Sequence, residues 1–159
     1  MAAFGTEFTE KMVLGTYADG HWSDLALVPV APFSLHPATH VLHYASECFE
    51  GLKAYRTQGG DVHLFRPNRH VARMLNSAEQ LLLPIPDGET LTAALHMAVA
   101  AVKDQIPAYP GALYLRPTLF GTEEDIGAAA RPSQRATFYV LTSPVGDYFA
   151  GGLKPLRVK

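Results

Sequence analysis

The most informative stretch of the chain reads HYASECFEGLKAY and covers residues 43–55. After Pro37 the sequence is compatible with a helix, and we expect one over residues 38–49. Gly51 then releases the chain into a strand, LKAYR, over residues 52–56. The stretch therefore predicts a passage from helix into strand.

Short strand-like runs lie on both sides of this stretch. Residues 12–14 and 25–30 are largely apolar, and the turn-forming sequence ADGH at 18–21 separates them, which predicts a hairpin. The sequence GGD at 59–61 predicts a second hairpin, between the strand just described and residues 62–65. Strands therefore dominate the first 65 residues.

Two amphipathic helices follow, each with one apolar stripe at helical spacing. The first stripe comprises Val71, Met74, Leu75, Ala78, Leu81 and Leu82, and Pro84 and Pro86 end it. The second comprises Leu91, Ala94, Leu95, Ala98, Val99 and Val102, with Asp87 as the capping residue and an end near Pro107. Both helices need a surface on which to bury one face.

Strands return over residues 112–120 and 137–143, so strands precede and follow the helix pair. This order predicts an α+β fold with helices packed on an antiparallel or mixed sheet, rather than alternating βαβ units. Residues 144–152 are rich in Pro, Gly and aromatics, which is typical of a linker between domains. We therefore expect a small domain over residues 1–143, a linker over 144–152 and the start of another domain at 153–159.

Composition excludes several functional classes. The net charge is −2 and the cations are scattered, so nothing points to a nucleic acid or an anionic membrane as partner. Cys48 is the single cysteine, which excludes an internal disulfide and favours a reducing compartment, with the cytoplasm as the default. The expected partners are small molecules or other subunits.

Tyr114 and Arg116 are two residues apart on a predicted strand, so their side chains share one face about 7 Å apart. Leu113 and Leu115 take the opposite, core face. A phenol beside the planar fork of an arginine is a good receptor for a carboxylate. An exposed arginine next to an amphipathic tyrosine is the alternative from residues alone.

Taken together, residues 43–55, the segment HVARM at 70–74 and YLRP at 114–117 resemble the branched-chain aminotransferases. The resemblance extends from about residue 4 to about residue 152. It implies the small amino-terminal domain of a fold-type IV enzyme that uses pyridoxal 5'-phosphate. The implied reaction transfers the amino group of leucine, isoleucine or valine to 2-oxoglutarate, giving a 2-oxo acid and glutamate, in a homodimer.

The resemblance also assigns roles to individual residues. Arg73 matches the arginine that binds the cofactor phosphate. The residues that match the substrate pocket are Phe4, Tyr44, Phe49, Tyr114, Arg116, Ala128 and Tyr148. Among these, Tyr44 is expected to act across the dimer interface, Arg116 to meet the side-chain carboxylate of glutamate, and Ala128 to stand where the family commonly has valine.

No catalytic residue is expected within the chain. The family's Schiff-base lysine lies in a Gly-rich segment downstream of Lys159, and neither Lys154 nor Lys159 has that context. The isolated chain is therefore expected to be inactive. Other fold-type IV enzymes, namely D-amino acid aminotransferases and aminodeoxychorismate lyases, are alternatives, and so is a non-catalytic dimerisation module.

Other chemistry finds little support in the sequence. His36, His40 and His43 have suggestive spacing, but Pro37 interrupts it and the His-Glu-x-x-His pattern is absent, so no metal site is expected. Cys48 has no evident base partner and is predicted to be a buried, inert thiol. Neither a dinucleotide-binding glycine pattern nor a P-loop occurs, so phosphate must be held in another way.

Overall fold

The computed structural model describes residues 4–127 and 131–146. Within them, eight strands form one sheet: β1 (Lys11–Ala18), β2 (His21–Trp22), β3 (Ala26–Pro29), β4 (Glu47–Phe49), β5 (Leu52–Arg56), β6 (Val62–Leu64), β7 (Ala112–Gly121) and β8 (Ala136–Val145). The helices are α1 (His40–Tyr44), α2 (Pro67–Gln80) and α3 (Gly88–Ala101), with a 3-10 turn at Lys103–Gln105. The predicted α+β class is confirmed, and the strand pairings in this part of the chain are antiparallel.

The two longest strands form the centre of the sheet. The strand order is β2-β1-β8-β7-β5-β6, with β3 beside β1 and β4 beside β7. β7 pairs with β8 over its whole length, from Ala112 opposite Val145 to Gly121 opposite Ala136. Both predicted hairpins are present, because β1 pairs with β2 and β3, and β5 pairs with β6.

The hydrophobic core lies between this sheet and helices α2 and α3. The strands contribute Cys48, Leu52, Leu113, Leu115, Leu119, Phe138 and Val140. The helices contribute Val71, Met74, Ala78, Leu91, Ala94, Leu95 and Ala98, which confirms half of the first predicted stripe and most of the second. Burial of these side chains is the main stabilising term for the domain.

The sequence predicted the start of α3 correctly and the end of α2 incorrectly. Asp87 caps α3 as expected, since its carboxylate accepts a hydrogen bond from the Thr90 amide at 2.7 Å. α2 ends earlier than expected, at Gln80. Leu81 and Leu82 are therefore not on the buried stripe, and Leu82 is 66% exposed with a left-handed backbone.

The helix expected over residues 38–49 is wrong in its second half. α1 is only five residues long and stops at Ala45, which has a left-handed backbone (φ 50°). Residues 47–49 instead form β4 and pair with Phe120, Leu119 and Thr118 of β7. This pairing buries Cys48 against the core. A helix over residues 47–49 would not pair with β7.

β8 ends at Val145, two residues beyond the predicted strand. Pro144 and Val145 of the expected linker therefore belong to the sheet. Residues 147–159, which include the last six residues of that linker and the expected start of another domain, lie outside the described residues.

One interruption of the sheet positions the candidate site. Phe49 lies opposite Thr118 and Leu52 opposite Leu115, so β4 and β5 keep the same register along β7. Between them, Glu50 lies opposite Pro117, which has no amide hydrogen to donate. The Glu50 amide donates to the Pro117 carbonyl at 3.0 Å, but the ladder is broken at this point.

Candidate functional site

At the interruption, neighbouring residues have their side chains on opposite faces of the sheet. Side chains alternate along a strand, so Glu50 points to the same side as the buried Cys48 and Leu52, toward α2. Phe49 and Gly51 lie on the other face. The two-residue break between β4 and β5 thus has an α2 side and an open side.

On the α2 side, a buried carboxylate holds two side chains of the helix. Arg73 donates from Nε to Glu50 Oε1 at 2.8 Å and from Nη2 to Oε2 at 2.6 Å. His70 Nδ1 lies 2.8 Å from Glu50 Oε2. The Glu50 side chain is 8% exposed, whereas that of Arg73 is 63% exposed, so the arginine reaches from solvent to a buried anion.

The electrostatics of this cluster favour the ionised carboxylate. Burial raises the pKa of Glu50, but hydrogen bonds from Arg73 and His70, with their charges, outweigh burial and hold that pKa below its usual value. The hydrogen bond to Glu50 raises the pKa of Arg73 in turn. Because the folded pKa of Glu50 is depressed, its contribution to stability is present at neutral pH and is lost as the pH falls through that value.

On the open side, four predicted site residues contact one another. The rings of Phe4 and Tyr114 meet edge to face, with centroids 4.9 Å apart. The Arg116 guanidinium carbon lies 4.1 Å from the centre of the Phe49 ring and 5.4 Å from that of Tyr114. These are cation–π distances, and they orient the arginine against aromatic walls.

Tyr114 also covers the break itself. A Cβ built at Gly51 falls 3.0 Å from Cζ of Tyr114 and 3.2 Å from Cε2, and closer still to its hydroxyl oxygen. Gly51 is therefore required by the close approach of this phenol. The predicted alternation along β7 is confirmed, since Leu113 and Leu115 are fully buried on the helix side.

A cavity of about 210 Å³ adjoins these residues. Its lining comprises Phe4, Gly5, Phe8, Tyr114, Arg116, Leu141, Thr142 and Ser143. The amino-terminal segment is fastened over β8, because the Thr9 amide donates to the Thr142 carbonyl at 3.0 Å and Ser143 Oγ donates to the Glu7 carbonyl at 2.5 Å. These two bonds keep Phe4 at the cavity.

Tyr44 has different neighbours. Its hydroxyl donates to the carbonyl of Ile126, and its ring lies 4.8 Å from that of His40. Two large apolar side chains on these segments, Leu42 of α1 and Ile126, are 60% and 67% exposed. The structure thus places Tyr44 in a second location, while the predicted site residues Ala128 and Tyr148 lie outside the described residues.

The three histidines considered for a metal have separate partners. His40 Nδ1 lies 2.7 Å from Ser46 Oγ, His43 Nε2 lies 2.8 Å from the Pro37 carbonyl, and His36 Nδ1 accepts from the Ala38 amide at 3.0 Å. Across residues 4–127 and 131–146, no three His, Cys, Asp or Glu side chains are grouped to hold a metal ion. The same residues contain no helix that is long and apolar enough to cross a membrane.

Cys48 is buried, and its chemistry follows from that burial. Desolvation, with smaller contributions from Glu47 and Glu50, raises the pKa of the thiol to about 11. We therefore expect less than about one per cent thiolate at neutral pH and no modification of Cys48 by iodoacetamide in the folded protein. Peptide mapping checks this, with denaturant-unfolded protein as the control; rapid labelling of the folded state would contradict it.

The sequence analysis gave Glu50, Gly51 and His70 no role in the site. Signals for them were present, because Glu50 and Gly51 stand inside the most specific motif and His70 precedes Arg73 by three residues, one helical turn away. Their roles depend on contacts between distant segments, which those signals do not specify.

Comparisons with known proteins agree with the fold and the motifs. A family model described as amino-transferase class IV matches residues 47–156. A probable branched-chain-amino-acid aminotransferase of Streptomyces coelicolor is 45% identical over 98% of this chain and 43% of the relative. Branched-chain-amino-acid transaminase 1 of Bacillus subtilis is 40% identical over 98% of this chain and 44% of that protein.

Solved structures of branched-chain aminotransferases have a similar fold over most of this chain. The T.th. branched-chain amino acid aminotransferase with pyridoxamine 5'-phosphate has a TM-score of 0.66 and 28% identity, over 86% of this chain and 41% of that one. The branched-chain aminotransferase from Thermoproteus uzoniensis with norvaline has a TM-score of 0.67 and 27% identity, over 88% of this chain and 43% of that one. The chain thus spans less than half of the length of these relatives. With the class IV family model matching most of its residues, the chain belongs to the amino-transferase class IV family.

Proposed function

We propose that this chain is the substrate-recognising part of a branched-chain amino acid transaminase that uses pyridoxal 5'-phosphate. The reaction transfers the amino group of leucine, isoleucine or valine to 2-oxoglutarate. The proposed domain division keeps a small domain, a linker and a cofactor-binding domain from 153, but the linker starts at residue 146 rather than 144, because Pro144 and Val145 belong to β8. The observation that carries the proposal is the break at Glu50–Gly51. Glu50 binds Arg73 on the α2 side of this break, and Gly51 contacts Tyr114, which lines the cavity with Arg116, on the open side.

The residues on the α2 side fit the cofactor phosphate. Glu50 occupies only the Nε–Nη2 edge of Arg73, so the Nη1 end of the exposed guanidinium is open to a ligand. Arg66 and Arg69 line the same exposed surface and add positive charge. A permanently protonated fork suits a phosphate dianion.

Pyridoxal phosphate, when bound, supplies the electron sink that amino-group transfer requires. The residues of this chain bind and orient. Tyr114 and Arg116 offer a phenol and a guanidinium to substrate carboxylates, while Phe4 and Phe49 supply apolar walls that exclude water from the reacting face. The lysine that moves the proton is assigned to the part of the protein beyond Lys159.

The cavity favours aliphatic side chains without selecting one of them. About 210 Å³ is a suitable size for small branched side chains, and the rings of Phe4 and Tyr114 line it. Each methylene in an apolar pocket contributes only about 1–3 kcal/mol to discrimination. Leucine, isoleucine and valine are therefore all expected to be accepted.

A homodimer in the cytoplasm completes the proposal. Tyr44 contacts the loop at Ile126 rather than Tyr114, and the exposed apolar side chains of Leu42 on α1 and of Ile126 are the ones that a second copy would cover. Tyr44 would then contribute to the partner's pocket, and the resemblance assigns Ala128 to the same pocket. The single, buried Cys48 suits a reducing compartment.

The test is a screen of amino donors and 2-oxo acids with the complete protein that contains this chain. Leucine-dependent formation of glutamate is expected, together with an absorbance change on adding pyridoxal phosphate. Turnover of D-alanine, or release of pyruvate from aminodeoxychorismate, would assign the chain to another fold-type IV activity. Absence of cofactor binding would favour a non-catalytic module.

Arg116 provides a sharper prediction. Arg116→Gln is expected to raise the KM for 2-oxoglutarate about 10- to 100-fold, the value of charge-assisted hydrogen bonds, because the second carboxylate loses its guanidinium. The KM for 4-methyl-2-oxopentanoate, which has no second carboxylate, is expected to change much less. Steady-state kinetics measures both, with the exposed Arg135→Gln as a control. Equal increases for both acids would remove the assigned role of Arg116.

A further inference from the structure

We propose that Glu50 and His70 are positioning residues for the cofactor phosphate, which hold one edge of Arg73 so that the other edge faces the ligand. This inference rests on the proposed function, because it takes the ligand of Arg73 to be the phosphate of pyridoxal phosphate. It goes beyond that function in assigning a role to a carboxylate and an imidazole that do not themselves touch the phosphate.

The first argument is the geometry of the guanidinium. The group has five N–H donors in one plane, arranged along two usable edges. Glu50 accepts from Nε at 2.8 Å and from Nη2 at 2.6 Å, which fixes both the position and the plane of the group. The two hydrogens of Nη1 and the second hydrogen of Nη2 are not used by Glu50, and Arg73 lines the same exposed surface as Arg69 and Asn76.

The second argument is the contrast in exposure. A solvent-exposed arginine side chain has many rotamers, and fixing it on a ligand costs conformational entropy. Arg73 is 63% exposed, yet its end group is fastened to a carboxylate that is only 8% exposed. A buried, immobile anchor therefore removes part of the entropic penalty before the phosphate arrives.

His70 completes the anchor. Its Nδ1 lies 2.8 Å from Glu50 Oε2 and 3.2 Å from Arg73 Nη2. A carboxylate only accepts hydrogen bonds and a guanidinium only donates, so the contact with Glu50 requires hydrogen on Nδ1. His70 then directs Oε2 and, through it, the Nη2 group of Arg73. Both histidine and arginine lie on α2, one turn apart, so the carboxylate also ties the helix to the break in the sheet.

A purely electrostatic role of Glu50 predicts the opposite effect on the affinity for the phosphate. A negative carboxylate beside Arg73 repels a phosphate dianion and competes for the same guanidinium, so removing the charge would tighten binding. Positioning predicts that removing it weakens binding, because Arg73 loses its fixed orientation. The sign of the change therefore decides between the two roles.

The experiment measures binding of pyridoxal 5'-phosphate and of pyridoxal, which lacks the phosphate, to the complete apoprotein by absorbance and fluorescence titration. Glu50→Gln keeps the shape of the side chain but replaces one acceptor with a donor. We expect the Kd for pyridoxal phosphate to rise about tenfold, the value of one charge-assisted hydrogen bond. The Kd for pyridoxal is expected to stay within about twofold, and the exposed Glu79→Gln on α2 is the control for charge.

A pair of histidine variants gives a readout that a merely structural role does not move. His70→Asn keeps a donor at the position of Nδ1 and is expected to retain most of the phosphate-dependent affinity, whereas His70→Phe is expected to lose it as Glu50→Gln does. Circular dichroism identifies any variant that fails to fold, and the remaining variants then carry the test. Equal losses for pyridoxal and pyridoxal phosphate, or equal behaviour of the two histidine variants, would overturn the positioning role.

Arg73→Gln in the same titration distinguishes a failure of the proposed function from a failure of the positioning role alone. If Arg73→Gln leaves the affinity for pyridoxal phosphate unchanged, the assignment of Arg73 to the phosphate is wrong, and this inference is wrong with it. If Arg73→Gln weakens binding while Glu50→Gln leaves it unchanged or tightens it, the proposed function stands and the positioning role alone is overturned.

Discussion

Replacing Arg73 with glutamine in the complete protein is expected to weaken binding of pyridoxal 5'-phosphate by about 100-fold, the upper range for a charged, bidentate contact. The substitution removes the guanidinium that faces the phosphate and leaves Glu50 as a buried carboxylate with His70 as its remaining side-chain partner. The loss therefore has two causes, a missing ligand contact and an uncompensated anion close to it. Titration of the apoprotein with the cofactor measures the effect.

Two further variants indicate which property of Arg73 matters. Arg73→Lys keeps the charge but has no planar fork, so it cannot hold Glu50 on one edge and a phosphate on the other, and an intermediate loss is expected. Arg69→Gln removes a cation from the same exposed surface without removing a partner of Glu50, and only a small loss is expected. If Arg69→Gln and Arg73→Gln had equal effects, the surface would attract the cofactor by charge alone.

Placing a methyl group at residue 51 is the second substitution with a large expected effect. The Cβ of Gly51→Ala overlaps the Tyr114 hydroxyl and crowds its ring atoms at 3.0 and 3.2 Å, so the phenol must leave its position above the break. That movement takes a carboxylate donor out of the site and disturbs the Phe4 and Arg116 contacts. We expect kcat/KM for leucine to fall about 100-fold, since a displacement of about 1 Å can have an effect of this size.

A double-mutant cycle tests the steric cause. Tyr114→Phe removes the atom nearest to the new Cβ, so Gly51→Ala is expected to reduce kcat/KM much less in the Tyr114→Phe background than in the native protein. Gly59→Ala is the matched control, because the nearest side-chain atom there is Thr57 Oγ1 at an ordinary 3.8 Å. Strictly additive effects of the two substitutions would contradict the steric explanation.

Much of the fold was predictable because its signals are local and periodic. The two-residue alternation of β7 separates Leu113 and Leu115 from Tyr114 and Arg116. In the structure the two leucines are fully buried, and Tyr114 and Arg116 are half-buried on the opposite face. The apolar stripes of α2 and α3 and the cap at Asp87 also follow from spacing within a single element. In each case the physical cause, burial of one face, acts on residues that are near each other in sequence.

The errors occurred where a distant segment competes with local preference. Residues 47–49 are compatible with a helix in isolation, but pairing with β7 satisfies their backbone groups and buries Cys48. Leu82 continues a helical stripe in sequence, yet the chain has already turned away and the side chain is exposed. Propensity is a weak determinant, and tertiary contacts override it at such positions.

The same distinction applies to the site. The sequence by itself determined which residue types face the same way on each strand and helix, since the periods of 2.0 and 3.6 residues follow from backbone geometry. Only the tertiary structure decided that Glu50 meets Arg73, 23 residues away, and that Phe4 lies against Tyr114. Long side chains reach their partners only where the packing of the sheet and helices brings distant segments together, and no local period contains that information.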